Sequence, residues 1–220
     1  MPRDTLENIA SEKKERILRE AAILFAERGY SQTDMAELAR RCRIAKGSLY
    51  NYFENKEELY VFVCRDGLSR SREAVWESAP AEANIFELVE HVFAAGVRFA
   101  REHPEYVSLY LHVASSGLEH FARRLSVEVE KPTADRLKDT LRAGIEAGLV
   151  DTSIDVPQVA WQINNTYVML LTALVSQHFG TRLREYLEVG EPDVELSDDQ
   201  VETLRERALD FIRFNLRPTA

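Results

Sequence analysis

The segment from Thr33 to Phe53, TDMAELARRCRIAKGSLYNYF, constrains this chain more than any other stretch of it. Thr33 is placed to cap a helix whose inward face is Met35, Leu38, Ala39 and Cys42, at helical spacing. Arg43, Ile44 and Ala45 leave room only for a turn, with Ile44 plugging the gap between two helices. The second helix starts near Lys46 and turns Leu49 and Phe53 inward. Lys46, Gly47, Ser48, Tyr50, Asn51 and Tyr52 are left facing out. Gly47 weakens such a helix by roughly 1 kcal/mol relative to alanine, so its presence needs a reason. One reason is that a missing side chain lets the backbone approach the floor of a groove. Asn55 then caps a further helix, with Glu58 in position to complete a capping box and Glu57 in the first turn. Two short helices joined by a tight turn, the second small-headed, polar and aromatic, form a helix-turn-helix of the DNA-reading kind.

The segment resembles the DNA-binding domain of the TetR family of transcriptional regulators, whose signature is close to T-x-x-x-I-A-x-x-A-G-V-S-K-G-T-L-Y-x-Y-F-x-x-K-E-x-L. The chain matches at Thr33, Ala39, Lys46, Gly47, Leu49, Tyr50, Tyr52, Phe53, Lys56, Glu57 and Leu59, with close substitutes at Leu38, Ile44 and Ser48. It departs at Arg43, where the family has a turn glycine, and at Ala45, where it has a capping serine. Arg43 is expected to take a left-handed conformation at some cost. The missing cap at Ala45 costs roughly 1 kcal/mol. The similarity is close over residues 11–60 and one of architecture and length beyond.

What the resemblance implies is an all-α chain: a three-helix DNA-binding domain over residues 1–56, then a helical effector-binding and dimerisation domain over residues 57–220. Thr33, Ser48, Tyr50, Tyr52 and Lys56 would hold phosphates, and Lys46, Gly47 and Asn51 would approach base edges. The implied partners are a double-stranded DNA operator, a second copy of the chain and a small hydrophobic or amphipathic effector. The implied function is a ligand-responsive repressor on a palindromic operator. The rival reading is a DNA-bound helical scaffold, or a ligand carrier without effector-controlled repression.

Helical periodicity covers the rest of the chain. Helices are expected over residues 11–28, ended by Gly29, over 56–77, and over 85–101 after Pro80 and Asn84. Pro104 opens another to about Ser115, and Gly117 precedes a longer stretch to about Gly148 in which Pro132 should cause a break or kink. One long helix is expected from Val156 to about Leu187, then a loop over residues 190–193, then a helix capped by Ser197 and reaching Leu216. Ala160, Ile163, Tyr167, Leu170, Leu171 and Leu174 form one apolar stripe, continued on the far side by Trp161, Val168, Met169 and Ala173. Val201, Leu204, Ala208, Phe211, Ile212 and Asn215 form another. Two such helices per subunit suit a four-helix dimer interface.

For the effector pocket the candidates are Phe93, Tyr106, Tyr110, Asn164 and Tyr167, with Phe86, Phe99 and Phe121 as further aromatic lining. Asn164 stands beside an apolar stripe and needs a partner: a ligand, another side chain, or its mate across a dimer.

Several function classes fall away. None of the five histidines (His91, His103, His112, His120, His178) follows a glutamate at the spacing of a di-metal bundle site, and no phosphate-binding loop or Gly-x-Gly pattern occurs. No enzyme, metal or cofactor is expected. Cys42 and Cys64 have no disulfide or metal spacing, so a reduced, cytoplasmic setting is expected, with Cys42 a small buried filler. No apolar run approaches a membrane span, and Met1 to Asp4 open no signal peptide. Residues 1–56 carry a net charge of +2 and the remainder −11, which suits a locally basic face on an acidic body.

Overall fold

A computed structural model of the chain describes residues 11–113, 119–191 and 196–218. The chain is all-α. Among the described residues ten helices follow in order: α1 (Ser11–Gln32), α2 (Met35–Arg41), α3 (Lys46–Tyr52), α4 (Lys56–Ser71), α5 (Ile85–Glu102), α6 (Pro104–Val113), α7 (Glu119–Glu146), α8 (Val156–Val175), α9 (Gln177–Leu187) and α10 (Asp198–Leu216). A π-helical turn, Arg72–Glu77, follows α4, and no strand occurs among the described residues. The helices divide between two compact units, one of residues 1–70 and 105–125, the other of residues 71–104 and 126–220.

The first unit is built around the apolar face of α1. Ile17, Leu18, Ala21, Leu24 and Phe25 recur at helical spacing and are fully buried, as are Leu38 of α2, Leu49 of α3 and Leu59 of α4 in the same unit. Tyr60 gathers the aromatic part of this core: its ring meets Phe25 edge-on at 4.9 Å, Tyr30 at 5.1 Å and Phe121 at 6.3 Å. Helical geometry in α1 gives out at Gly29 (φ 71°, ψ 170°), where the sequence places its stop. α6 joins this unit through a close approach. A Cβ on Gly67 would lie 2.3 Å from the Tyr106 ring, so only glycine lets the ring lie on α4. The Tyr106 hydroxyl donates to Asp66 (3.2 Å), Arg70 Nε donates to the same carboxylate (2.7 Å), and Arg70 reaches Glu15 of α1 (2.8 Å).

In the second unit, α5 is the central helix. Asn84 caps it through a complete capping box with Glu87, and Ile85, Leu88, Val92 and Phe93 are buried. Tyr167 and Ile163 of α8, Leu137 and Leu141 of α7, and Leu204 and Ile212 of α10 complete this core. Surface ion pairs Arg101–Asp198 (2.6 Å) and Arg213–Glu90 (3.0 Å) join α5 to α10. Ser197 caps α10 as expected, in a capping box with Gln200.

Four expectations are corrected. The cap of α2 is Asp34, whose Oδ1 accepts from Ala36 N at 2.7 Å; the Thr33 hydroxyl instead donates to Gly29 O at 2.8 Å. α7 runs unbroken through Pro132, since a proline costs a helix its own N–H bond and local fit but need not end it when the rest of the helix is packed. The single helix expected over residues 156–187 is two, separated at Ser176 in extended conformation (φ −121°, ψ 118°). Gly180 permits the bend, because a Cβ there would sit 2.9 Å from the Ala173 carbonyl oxygen. The buried face of α10 is Val201, Leu204, Leu209, Ile212 and Leu216, while Phe211 and Asn215 face solvent and Ala208 is half-buried. The expectations at Ser115, Gly117, Pro192 and Asp193 lie outside the described residues.

Candidate nucleic-acid interface

Two backbone devices set the angle between α2 and α3. Arg43 adopts φ 56°, the left-handed conformation the sequence demands of it, and Ile44 N donates to Ala39 O at 3.0 Å. Ala45 is the N-cap of α3 and offers no side-chain hydrogen bond. Both sites store an avoidable cost. Arg43→Gly and Ala45→Ser are each expected to stabilise the first unit by about 1 kcal/mol, seen as a higher melting temperature. Neither should change which DNA sequence is preferred.

α3 buries Leu49 and is followed by buried Phe53, which fixes what it shows outward. Lys46, Gly47, Tyr50 and Asn51 are exposed and Ser48 is half-buried. Gly47 has no internal reason to be glycine. Its φ is not positive, and a Cβ there would meet nothing within 4 Å. Among the described residues, Arg40, Arg43 and Lys46 have no acidic partner, whereas Arg41 is neutralised by Glu27 (2.7 Å) and Glu37 (3.3 Å). Arg40 of α2, Arg43 of the turn and Lys46 of α3 are all exposed.

Three of the expected phosphate-holding residues sit differently from expectation. Tyr52 is only 7 % exposed, because it turns its ring into the unit. Its hydroxyl accepts from Lys13 Nζ at 3.0 Å, with the ammonium 5.4 Å from the ring centroid. Lys13 was not legible as a site residue, since nothing local on α1 links it to a tyrosine of α3. Thr33 is buried, with its hydroxyl spent on Gly29 O. Lys56 is half-buried, donates to Ser31 O (3.1 Å) and Thr33 O (3.2 Å), and lies 4.7 Å from the Tyr30 ring centroid. It clamps the α1–α2 connection. Asp34, by contrast, was readable: Asp34 and Glu37 have capping-box spacing, and Asp is the stronger N-cap than Thr. Burial pushes the Cys42 thiol up to about 11 and the Cys64 thiol up to about 12, so both are inert packing groups at neutral pH.

In the second unit Phe93, Asn164 and Tyr167 line one cavity with Trp76, Val92 and Ile163. Tyr106 and Tyr110 do not line it: they belong to α6 in the first unit, where Tyr106 is engaged with Gly67 and Asp66 and Tyr110 is exposed. Spacing along a helix cannot tell which of two cores an aromatic enters. Asn164 has a side-chain partner, Glu130, which accepts from its Nδ2 at 3.2 Å. No group of three or more metal-ligating side chains occurs among the described residues. No described helix is long and apolar enough to cross a membrane.

The model of the tetR family of bacterial regulatory proteins matches residues 17–61, which spans most of α1, all of α2 and α3, and the start of α4. An uncharacterised HTH-type transcriptional regulator of Bacillus subtilis, YerO, is 28% identical over 150 residues; the match takes in 66% of this chain and 52% of YerO, about half that protein's length. A TetR family regulator from Chloroflexus aurantiacus superposes over 99% of both chains with a TM-score of 0.73 at 21% identity. AibR, solved in complex with isovaleryl coenzyme A and operator DNA, superposes over 90% of this chain and 97% of its own, with a TM-score of 0.69 at 21% identity. The turn that holds α3, the side chains α3 presents and the match across α1 to α4 agree: residues 17–61 match the tetR family of bacterial regulatory proteins, and the chain shares the fold of solved TetR family regulators.

Proposed function

We propose that the chain is a sequence-specific repressor that binds a palindromic operator as a homodimer and is released by a small hydrophobic or amphipathic effector. Residues 1–56 are the DNA-binding domain and residues 57–220 the effector-binding and dimerisation domain, working in the cytoplasm. Gly47 carries the reading. A helical glycine with open space above it, costing roughly 1 kcal/mol and serving no contact within the chain, is explained by a partner surface that must come close. Lys46 and Asn51 flank it and take the base edges. Tyr50 and Ser48 hold phosphates, and the Lys56 ammonium, with two of its three donors used inside the chain, offers the third to a phosphate.

The dimer is supported by large apolar groups left in solvent on α8 and α10: Trp161 and Phe211 are each 62% exposed and Phe214 80%. A two-fold protein reads a two-fold site. Effector control is supported by the cavity on α8 and by the ligand in the AibR complex. In thermodynamic terms, the effector must bind the DNA-released population more tightly than the DNA-bound one.

The test is a selection of bound fragments from randomised duplex DNA by the purified dimer at near-physiological salt. An enriched palindrome is expected. No enrichment from folded, ligand-stripped dimer overturns the repressor reading in favour of a scaffold or ligand carrier.

A further inference from the structure

The Lys13 ammonium of α1 donates to the Tyr52 hydroxyl of α3 at 3.0 Å and lies 5.4 Å from the centroid of that ring. Lys14 beside it lies 5.9 Å from the ring centroid of Phe62 of α4. Both lysines are half-buried, and among the described residues neither has an acidic partner. The helix itself offers Lys13 none, since the positions one turn on are Arg16 and Ile17. Glu15 is spent on Arg70 of α4, which reaches both of its oxygens at 2.8 Å. A lysine carries three donors, and the phenol takes one of them from Lys13. Partial burial strips water from an ammonium, and a neutral hydroxyl and a ring face return less than an anion would.

Tyr52 is the last residue of α3, the helix that presents Lys46, Gly47, Tyr50 and Asn51. Its side chain is only 7% exposed, so packing fixes where the hydroxyl lies, and the ammonium is fixed with it. α3 has seven residues and is therefore about 10 Å long, while a major groove is about 12 Å wide. A helix of that length seated in the groove brings its last turn to a wall of phosphates. Lys13 is a cation held at that last turn although it belongs to another helix.

From this arrangement we infer that Lys13 holds a phosphodiester of the DNA backbone, and that Tyr52 is its positioning residue, acting through the bond to the ammonium. The inference rests on the DNA-binding reading above and extends its interface from α3 to α1. A phosphate oxygen takes one of the donors that the phenol leaves over, and one counterion leaves the duplex. Such a contact sets the position of α3 in the groove without reading a base, so it strengthens every sequence alike. Arg41 of α2 is the contrast in the same unit, because Glu27 and Glu37 already neutralise it.

The test is a set of anisotropy titrations over a range of KCl concentrations, with a labelled operator duplex and a labelled duplex of random sequence, beside melting curves. Lys13→Ala should weaken both duplexes about tenfold at about 0.1 M salt and reduce the slope of log affinity against log salt by about 0.9. Lys13→Arg keeps the charge and should keep the slope. Tyr52→Phe keeps the buried ring and loses only the hydroxyl. It should weaken binding about threefold in the wild-type chain and not at all in the Lys13→Ala background. A purely structural Lys13 would lower the melting temperature and leave the slope where it was. The inference is overturned if Lys13→Ala leaves the slope unchanged, if its loss is confined to one operator base, or if Tyr52→Phe weakens binding equally in both backgrounds. A wild-type chain that binds neither duplex overturns the DNA-binding reading and this inference with it. Wild-type binding with an unchanged slope in Lys13→Ala overturns this inference alone.

Discussion

Phe53→Ala is expected to abolish binding to every DNA sequence and to lower the melting temperature sharply. Phe53 is fully buried at the end of α3, with its N–H donating to Leu49 O (2.9 Å) and its ring 5.7 Å from Phe62 of α4. Truncating such a ring costs about 3–5 kcal/mol through lost burial and the cavity left behind. Domains of this size are commonly stable by about 5–15 kcal/mol, so the loss consumes a large share of the total. α3 has seven residues and no side-chain N-cap, too little to hold itself helical once its packing is gone. Circular dichroism melts and operator titrations of Phe53→Ala and Phe53→Leu check this. The leucine variant should keep most of both properties, and an unchanged melt for the alanine variant would remove Phe53 from the core.

The second large effect separates base contacts from phosphate contacts. Asn51→Ala should relax preference at one operator position by about 1–3 kcal/mol, flattening discrimination there and nowhere else. Tyr50→Ala should weaken all sequences alike, since a phosphate contact carries no base information. Lys46→Ala should reduce the slope of log affinity against log salt by about one, besides any loss at a guanine. Neither Tyr50→Ala nor Lys46→Ala should change the melt, because both are exposed. Lys56→Ala is different: it frees Ser31 O, Thr33 O and the Tyr30 face, so it should lower melting and binding together. Titrations against a set of single-base operator variants distinguish these outcomes, and a uniform loss for Asn51→Ala would make it a backbone contact.

What was legible in the sequence is what depends on neighbours along the chain. The period of Leu38, Leu49 and Phe53, the left-handed demand on Arg43, the missing cap at Ala45 and the box from Ser197 to Gln200 are all effects within a few residues. They identified the all-α class, most helix limits and the exposed Lys46, Gly47, Tyr50 and Asn51. Thr33 as a cap failed at the same range, because its hydroxyl found Gly29 O and Asp34 took the role.

Tertiary packing decided what no local pattern encodes. Tyr52 looks outward by spacing, yet Lys13 on another helix gives its hydroxyl a partner and lets the ring be buried. Tyr106 goes to α4 because Gly67 leaves a gap of the right size, while Tyr167 goes to α5 because Gly96 does. Helical periodicity says that a residue is buried but not against what. That choice belongs to the glycines and polar partners that only folding brings within reach.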